Sequence, residues 1–184
     1  MKKLLLVTAI VVFGLAHVNA QDVTFGIKGG LNFSTITGDN TSKDQTVTGF
    51  NFGVMSEIKI SEKFSFQPEL LYSGQGYDTG ISTEGNIALN YLNIPLIGKY
   101  YVTKRLSLEA GPQIGFLLST KGGTKDYKDL FKTTDFGVNF GLGYKLDNGL
   151  NFGARYVLGL SNINDVGSLK NKNGVLQLSA GYFF

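Results

Sequence analysis

The sequence predicts an all-β fold: an eight-stranded antiparallel up-and-down transmembrane β-barrel, preceded by a cleavable signal peptide. Three observations predict it. Apolar residues recur at every second position in eight separate segments. The connections between segments alternate between tight turns and long polar stretches. The face that carries the apolar residues holds no Asp, Glu, Lys or Arg. A tilted strand needs about 9–11 residues to cross a bilayer. In such a barrel one face of each strand meets lipid and the other meets water or packed polar groups.

The N-terminus comes first. Lys2 and Lys3 form a positive region, Leu4 to Leu15 is almost wholly apolar, and Val18-Asn19-Ala20 offers small residues for a peptidase. This pattern predicts a secretory signal over residues 1–20, leaving a barrel domain over 21–184. The apolar run is well short of the roughly 20 residues that a spanning helix needs.

The first alternating segment lies near Val23–Ser34, with Phe25, Ile27, Leu31 and Phe33 on one face. The second, near Thr48–Ile60, carries Phe50, Phe52, Val54, Ile58 and Ile60. The third, near Phe64–Gly74, carries Phe64, Phe66, Leu70 and Tyr72. In the fourth, near Asn90–Val102, the residues are Leu92, Ile94, Leu96, Tyr100 and Val102. Leu106–Ser119 is the fifth, Asp135–Leu146 the sixth and Leu150–Ser161 the seventh. The eighth runs to the C-terminus through Leu176, Leu178, Ala180, Tyr182 and Phe184, with Gln177, Ser179 and Gly181 between them.

Ser61-Glu62-Lys63, Thr103-Lys104-Arg105 and Asp147-Asn148-Gly149 read as tight turns, the last with an Asn-Gly pair that favours a hairpin. The long loops are expected near Thr35–Val47, Gln75–Leu89, Thr120–Thr134 and Asn162–Asn173. Short turns on the periplasmic side and long loops outside are the layout of outer-membrane barrels. An even strand number then places both termini in the periplasm.

Composition narrows the function. Without the signal, fifteen basic residues face fourteen acidic ones, a net charge of +1, and the single histidine, His17, is gone. That balance predicts no nucleic-acid surface. No cysteine is present, which excludes disulfides, thiol nucleophiles and thiolate metal sites. A soluble eight-stranded barrel with an apolar interior is the competing fold. Its interior would hold nearly all the Phe and Leu, leaving an exterior of many Gly and few charges.

The charges fall on the face opposite to lipid. Lys28, Glu57, Glu69, Lys99, Glu109 and Arg155 sit at similar height from the short-turn side, three acids and three bases. An eight-stranded barrel has room for side chains and little for a channel, and buried charges must pair or hydrogen-bond. The expectation is a neutral, structural polar network that plugs the lumen, with Gln67, Gln113, Asn51 and Asn139 completing its hydrogen bonds. A gate or proton path is the functional alternative. Gly137, Gly141, Gly143, Gly153 and Gly159 are expected to leave room for larger lumen neighbours.

Aromatic residues at strand ends predict two interfacial belts. Phe64, Phe66, Tyr100, Tyr144, Phe152, Tyr182 and Phe184 belong to the periplasmic one, and Phe33, Phe50, Phe52, Tyr72, Phe116 and Phe136 to the outer one. Pro68, Pro95 and Pro112 fall inside the third, fourth and fifth segments, where each removes a ladder donor. Bulges, or a local loss of pairing met by lumen side chains, are expected there.

These stretches also carry a resemblance. Phe66-Gln-Pro-Glu-Leu-Leu-Tyr-Ser73, Tyr91-Leu-Asn-Ile-Pro-Leu-Ile-Gly-Lys-Tyr-Tyr-Val102 and Leu108-Glu-Ala-Gly-Pro-Gln-Ile-Gly-Phe-Leu-Leu-Ser119 resemble the PorT-like family of small outer-membrane β-barrels. The resemblance implies the barrel and its membrane. Its name-giving member is associated with secretion and gliding machinery.

No catalytic constellation stands out. Outer-membrane barrel enzymes generally rely on a histidine, which the mature chain lacks, and its hydroxyls have no evident activating partner. Neither a phosphate-binding loop nor a dinucleotide fingerprint is present. Asp126, Asp129 and Asp135 match no metal-ligand loop and read as solvated loop acids. Lys121 to Lys132, with a Leu-Phe pair amid charges, reads as a mobile solvated loop. A short helix over the mouth, or contact with lipopolysaccharide phosphates, is the alternative. The reading is therefore a non-enzymatic barrel without cofactor, with a structural or surface-interaction role. Its expected partners are outer-membrane lipid and lipopolysaccharide, the barrel-assembly machinery through the strand ending at Phe184, and a loop partner that the sequence does not identify. A narrow pore for small solutes and an accessory part of secretion machinery are the alternatives.

Overall fold

The computed structural model describes residues 23–39, 45–78, 86–122, 128–164 and 170–184. The predicted signal over residues 1–20 and Asp126 lie outside them. Eight strands close into one antiparallel barrel in sequence order. They are β1 (Val23–Gly38), β2 (Gln45–Lys59), β3 (Phe64–Asp78), β4 (Asn86–Tyr101), β5 (Leu106–Gly122), β6 (Thr134–Lys145), β7 (Leu150–Gly159) and β8 (Asn171–Phe183). Closure comes from β1 pairing with β8, from Gly26 opposite Phe183 to Gly38 opposite Asn171. A closed barrel leaves no sheet edge unpaired, which the interior of a bilayer requires.

Period-two alternation holds because each strand separates two environments. The outer wall exposes Phe25, Leu31, Phe52, Leu96, Leu108, Phe140, Leu142, Tyr156 and Leu178, while Asn32, Asn51, Glu69, Lys99, Asn139 and Arg155 are buried inside. The described Asp, Glu, Lys and Arg residues of the strands either face the lumen or sit near strand ends. A Lys or Arg facing hydrocarbon at mid-depth costs about 2–4 kcal/mol. The expected belt residues are on the outer wall; Phe50, Phe52 and Tyr72 pack against one another, with Phe52 and Tyr72 centroids 5.1 Å apart.

The strands on the long-loop side run further than the sequence suggests. β1 continues to Gly38, β3 to Asp78, and β4 starts at Asn86. Apolar alternation marks only the lipid-facing stretch, whereas backbone pairing continues past it through polar residues. Several residues assigned to loops are therefore strand residues. Ile36, Ile87 and Leu89 point inward and are buried with Tyr91, Leu117, Phe131 and Ile163 in one apolar cluster. The described part of the third connection is only partly the solvated loop expected: Lys128, Leu130 and Lys132 are exposed, but Phe131 is not. Lys128–Leu130 form one turn of 3-10 helix, and Phe131 behind it is buried in that cluster. A bridge between Phe131 and Asn164, and a bond from the Lys132 amide to the Ile163 carbonyl at 2.8 Å, tie the third connection to the fourth.

At the prolines the ladder opens without shifting register. Pairing of β2 with β3 skips Ser56 and Glu57, which face Pro68 and Gln67. Pairing of β3 with β4 skips Glu69 and Leu70 opposite Pro95 and Ile94. Likewise, β4 and β5 skip Leu96 and Ile97 opposite Pro112 and Gly111. Each missing N–H opens the ladder toward the preceding strand, while the following strand still pairs with the proline. The register shifts lie elsewhere, between Thr46 and Asn51 and between Asn90 and Tyr91. At the first of these, lumen side chains do meet the backbone: Asn32 Nδ2 donates to the Gly74 carbonyl at 2.8 Å, and Ser34 Oγ to that of Gly76 at 2.9 Å.

Candidate functional site

Seven of the eight strands place a charged side chain at one level of the lumen, near the short-turn side. Lys28 comes from β1, Glu57 from β2, Glu69 from β3, Lys99 from β4, Glu109 from β5, Lys145 from β6 and Arg155 from β7. The eighth strand contributes the ring of Phe183. The inward parity of each strand puts these groups together, and the pairing of Lys99 directly opposite Glu109 fixes one contact by register alone.

Glu69 is the centre. Arg155 grips it in bidentate fashion, with Nη1 3.1 Å from Oε2 and Nη2 2.9 Å from Oε1. Lys28 Nζ lies 3.3 Å from Oε2, and Gln67 Nε2 donates to Oε1 at 2.6 Å. Arg155 Nη2 also reaches Glu109 Oε2 at 2.8 Å. Lys99 lies between Glu57 and Glu109, 3.7 Å from each, and donates to Gln67 Oε1 at 3.1 Å. Lys145 Nζ donates to Glu57 Oε2 at 2.9 Å, and the Tyr101 hydroxyl donates to Glu57 Oε1. The Lys145 ammonium sits 4.2 Å from the centroid of the Phe183 ring, a cation–π contact.

All six residues singled out from the sequence thus lie in one connected cluster. Two details differ from expectation. Lys145 joins it, so four bases face three acids and the cluster carries one excess positive charge. Of the four amides expected to complete it, Gln67 does so. Gln113, Asn51 and Asn139 form a separate layer further from the short turns, where Asn139 donates to Gln113 Oε1 at 3.4 Å and Asn51 to Asn32 Oδ1 at 2.8 Å. Phe183 is not plainly marked by the sequence pattern, because it sits in an apolar ending where alternation is hard to see. Its parity with Gln177, Ser179 and Gly181 is the signal that places it inside.

Room for the cluster comes from β6. A Cβ on Gly143 would lie 2.3 Å from Glu109 Oε1 and 2.7 Å from Ser107 Oγ. The void left beside Lys28, Lys99, Glu109 and Arg155 is about 10 Å³, about the least that holds one water. Further out, Asp135 is half-buried rather than solvated: its Oδ2 accepts from Asn173 Nδ2 at 2.8 Å. Among the described residues no group of three or more His, Cys, Asp or Glu gathers to hold a metal ion; Asp129's side chain lies outside them. At the short-turn end the lumen widens into a vestibule of about 960 Å³ whose lining includes Glu57, Tyr101, Lys145 and Phe183.

A closed eight-stranded barrel with an apolar wall and charged interior is an outer-membrane β-barrel. The chain belongs to the outer membrane protein beta-barrel domain family, whose model matches residues 19–165 and stops before β8. It is an integral protein of the outer membrane. Solved structures share the fold. The attachment invasion locus protein Ail of Yersinia pestis superposes with a TM-score of 0.58 at 17% identity, covering 89% of this chain and 99% of Ail. Neisserial surface protein A gives 0.60 at 15% identity, covering 87% of this chain and 97% of that one. OprG from Pseudomonas aeruginosa gives 0.50 at 16%, covering 88% and 95%. No functionally curated protein matches the chain.

Proposed function

We propose that this protein is a non-catalytic barrel with a plugged lumen, both termini in the periplasm, and a surface-interaction role carried by its long connections. The observation that carries the reading is that the lumen is filled at two separate levels. The charged cluster fills it near the short turns, and the apolar cluster of Ile36, Leu89, Phe131 and Ile163 among others fills it at the far end. Neither level relies on the other, so opening one leaves the lumen blocked. The charged cluster then serves as structure: it ties seven strands to one another, and to the Phe183 ring of the eighth, at one level.

Within this reading, the finer family placement is PorT-like, on the proline-bearing stretches quoted above. Contact with lipid and lipopolysaccharide, and delivery by the assembly machinery through Phe184, belong to the same proposal. The fold neighbour Ail is by name an attachment protein, which agrees with a role at the surface. Single-channel recording in planar bilayers tests it. The wild-type barrel is expected to be silent, and so is the double variant Phe131→Ser/Ile163→Ser, because the charged layer remains. Resolved conductance steps in the wild-type protein would refute the plugged lumen.

A further inference from the structure

We infer that the short-turn vestibule is a binding site for an amphiphilic organic anion, a molecule with one phosphate or carboxylate head and an apolar body. Size is the first argument: about 960 Å³ lies at the upper end of the range for small-molecule sites. Charge is the second. The cluster beneath has one base more than it has acids, and its member at the vestibule floor is Lys145, whose side chain is 27% exposed while Lys99, Arg155 and Lys28 are covered. Around the rim Lys59, Lys63 and Lys104 outnumber Glu62, and Asp147 is occupied by Arg105. An anion is the ligand that offsets this excess.

The lining supplies the other half of the chemistry. Tyr101, Phe183, Val102 and Leu146 give apolar surface beside the Lys145 ammonium. Lysine ammonium is a point charge suited to a single anionic head, and no arginine lines the vestibule to favour a planar bidentate partner. Because the exposed Val102 and Phe184 continue the lining to the outer wall, the head can come from a phospholipid of the adjoining leaflet or from a soluble solute. The inference does not depend on the plugged lumen or the surface role.

The test uses the protein in phosphatidylcholine nanodiscs, reading the amide signals of Asp147, Asn148 and Gly149 by NMR. Phenyl phosphate is titrated as probe and benzyl alcohol as its neutral counterpart. Saturable shifts are expected with phenyl phosphate alone, with Kd raised at least tenfold in Lys145→Gln and unchanged in Lys170→Gln at the opposite rim. If doping the discs with phosphatidylglycerol reproduces the shifts and competes with the probe, the natural head is a lipid; if it does not, the ligand is a soluble solute. The inference is overturned if neither anion gives saturable shifts, if benzyl alcohol gives the same ones, or if Lys145→Gln binds like wild type. Should Lys145→Gln lose the heat-modifiable migration of a folded barrel, the rim variant Lys104→Gln decides: weaker binding supports the site and unchanged binding overturns it.

Discussion

Glu69 shows how a buried charge is made tolerable in this lumen. Its two oxygens accept from Arg155, Lys28 and Gln67, so that little of its hydrogen-bonding capacity is wasted. Breaking such a cluster from one side leaves cations uncompensated, and Glu69→Gln should lower stability by about 3–5 kcal/mol in urea titrations. Gly143 matters for the neighbouring carboxylate. Gly143→Ala drives a methyl into Glu109 and should cost about 1–3 kcal/mol by the same measurement. Gly149 is needed differently: its φ of 91° closes the turn between β6 and β7, a conformation glycine adopts without steric cost. Outside the membrane, the Arg105 side chain hydrogen-bonds Asp147 and holds its carboxyl below the usual range. A carboxyl lowered in the folded state stabilises the fold above its unfolded pKa of about 3.9 and loses that contribution as pH falls through the folded value. NMR titration of Asp147 should therefore show its pKa rising in Arg105→Gln, and any stability gap between the two proteins should close on acidification.

At the scale of elements, the instructive contrast lies between the two ends of each hairpin. The short turns and the apolar stretches above them were legible because lipid on one side imposes a strict period of two. Toward the long connections that pressure ends, and Ile36 and Leu89 read as loop residues although they belong to paired strands. Phe131 and Ile163 were illegible for a related reason: they enter the lumen from connections, where no periodicity reports burial. The stopper they form depends on contacts between distant segments. Phe131→Ala should loosen it, costing about 3–5 kcal/mol and speeding hydrogen exchange at the Lys132 amide, which donates to Ile163. Unchanged exchange there would mean that Phe131 does not hold the two connections together. The prolines were legible as ladder breaks, but not their direction. That follows from the side toward which each missing N–H would have pointed, which register alone reveals. Two of the three carboxylates in the charged cluster, Glu57 and Glu69, sit in the openings so made.

For the whole molecule, a single pattern explains both walls. Phe, Leu and Tyr cover the exterior and Asn, Gln, Glu and Lys fill the interior, the reverse of a soluble domain. Six members of the charged cluster were readable from strand parity and height, because both are counted along the chain. The seventh, Lys145, was visible as an inward charge, but its place in the cluster depends on reach across the lumen to Glu57. The layering of amides above charges depends likewise on relative strand heights that no single strand records. Placing a charge on the apolar wall should be costly: Phe140→Arg, midway along β6, is expected to lose about 2–4 kcal/mol in lipid. The most direct test of the central claim uses the absence of cysteine, which allows one nitroxide label at Phe140→Cys. In bilayers, dissolved oxygen should relax that label far more strongly than a water-soluble nickel complex. Equal or stronger relaxation by the nickel complex would place water, not hydrocarbon, against this wall and contradict the account.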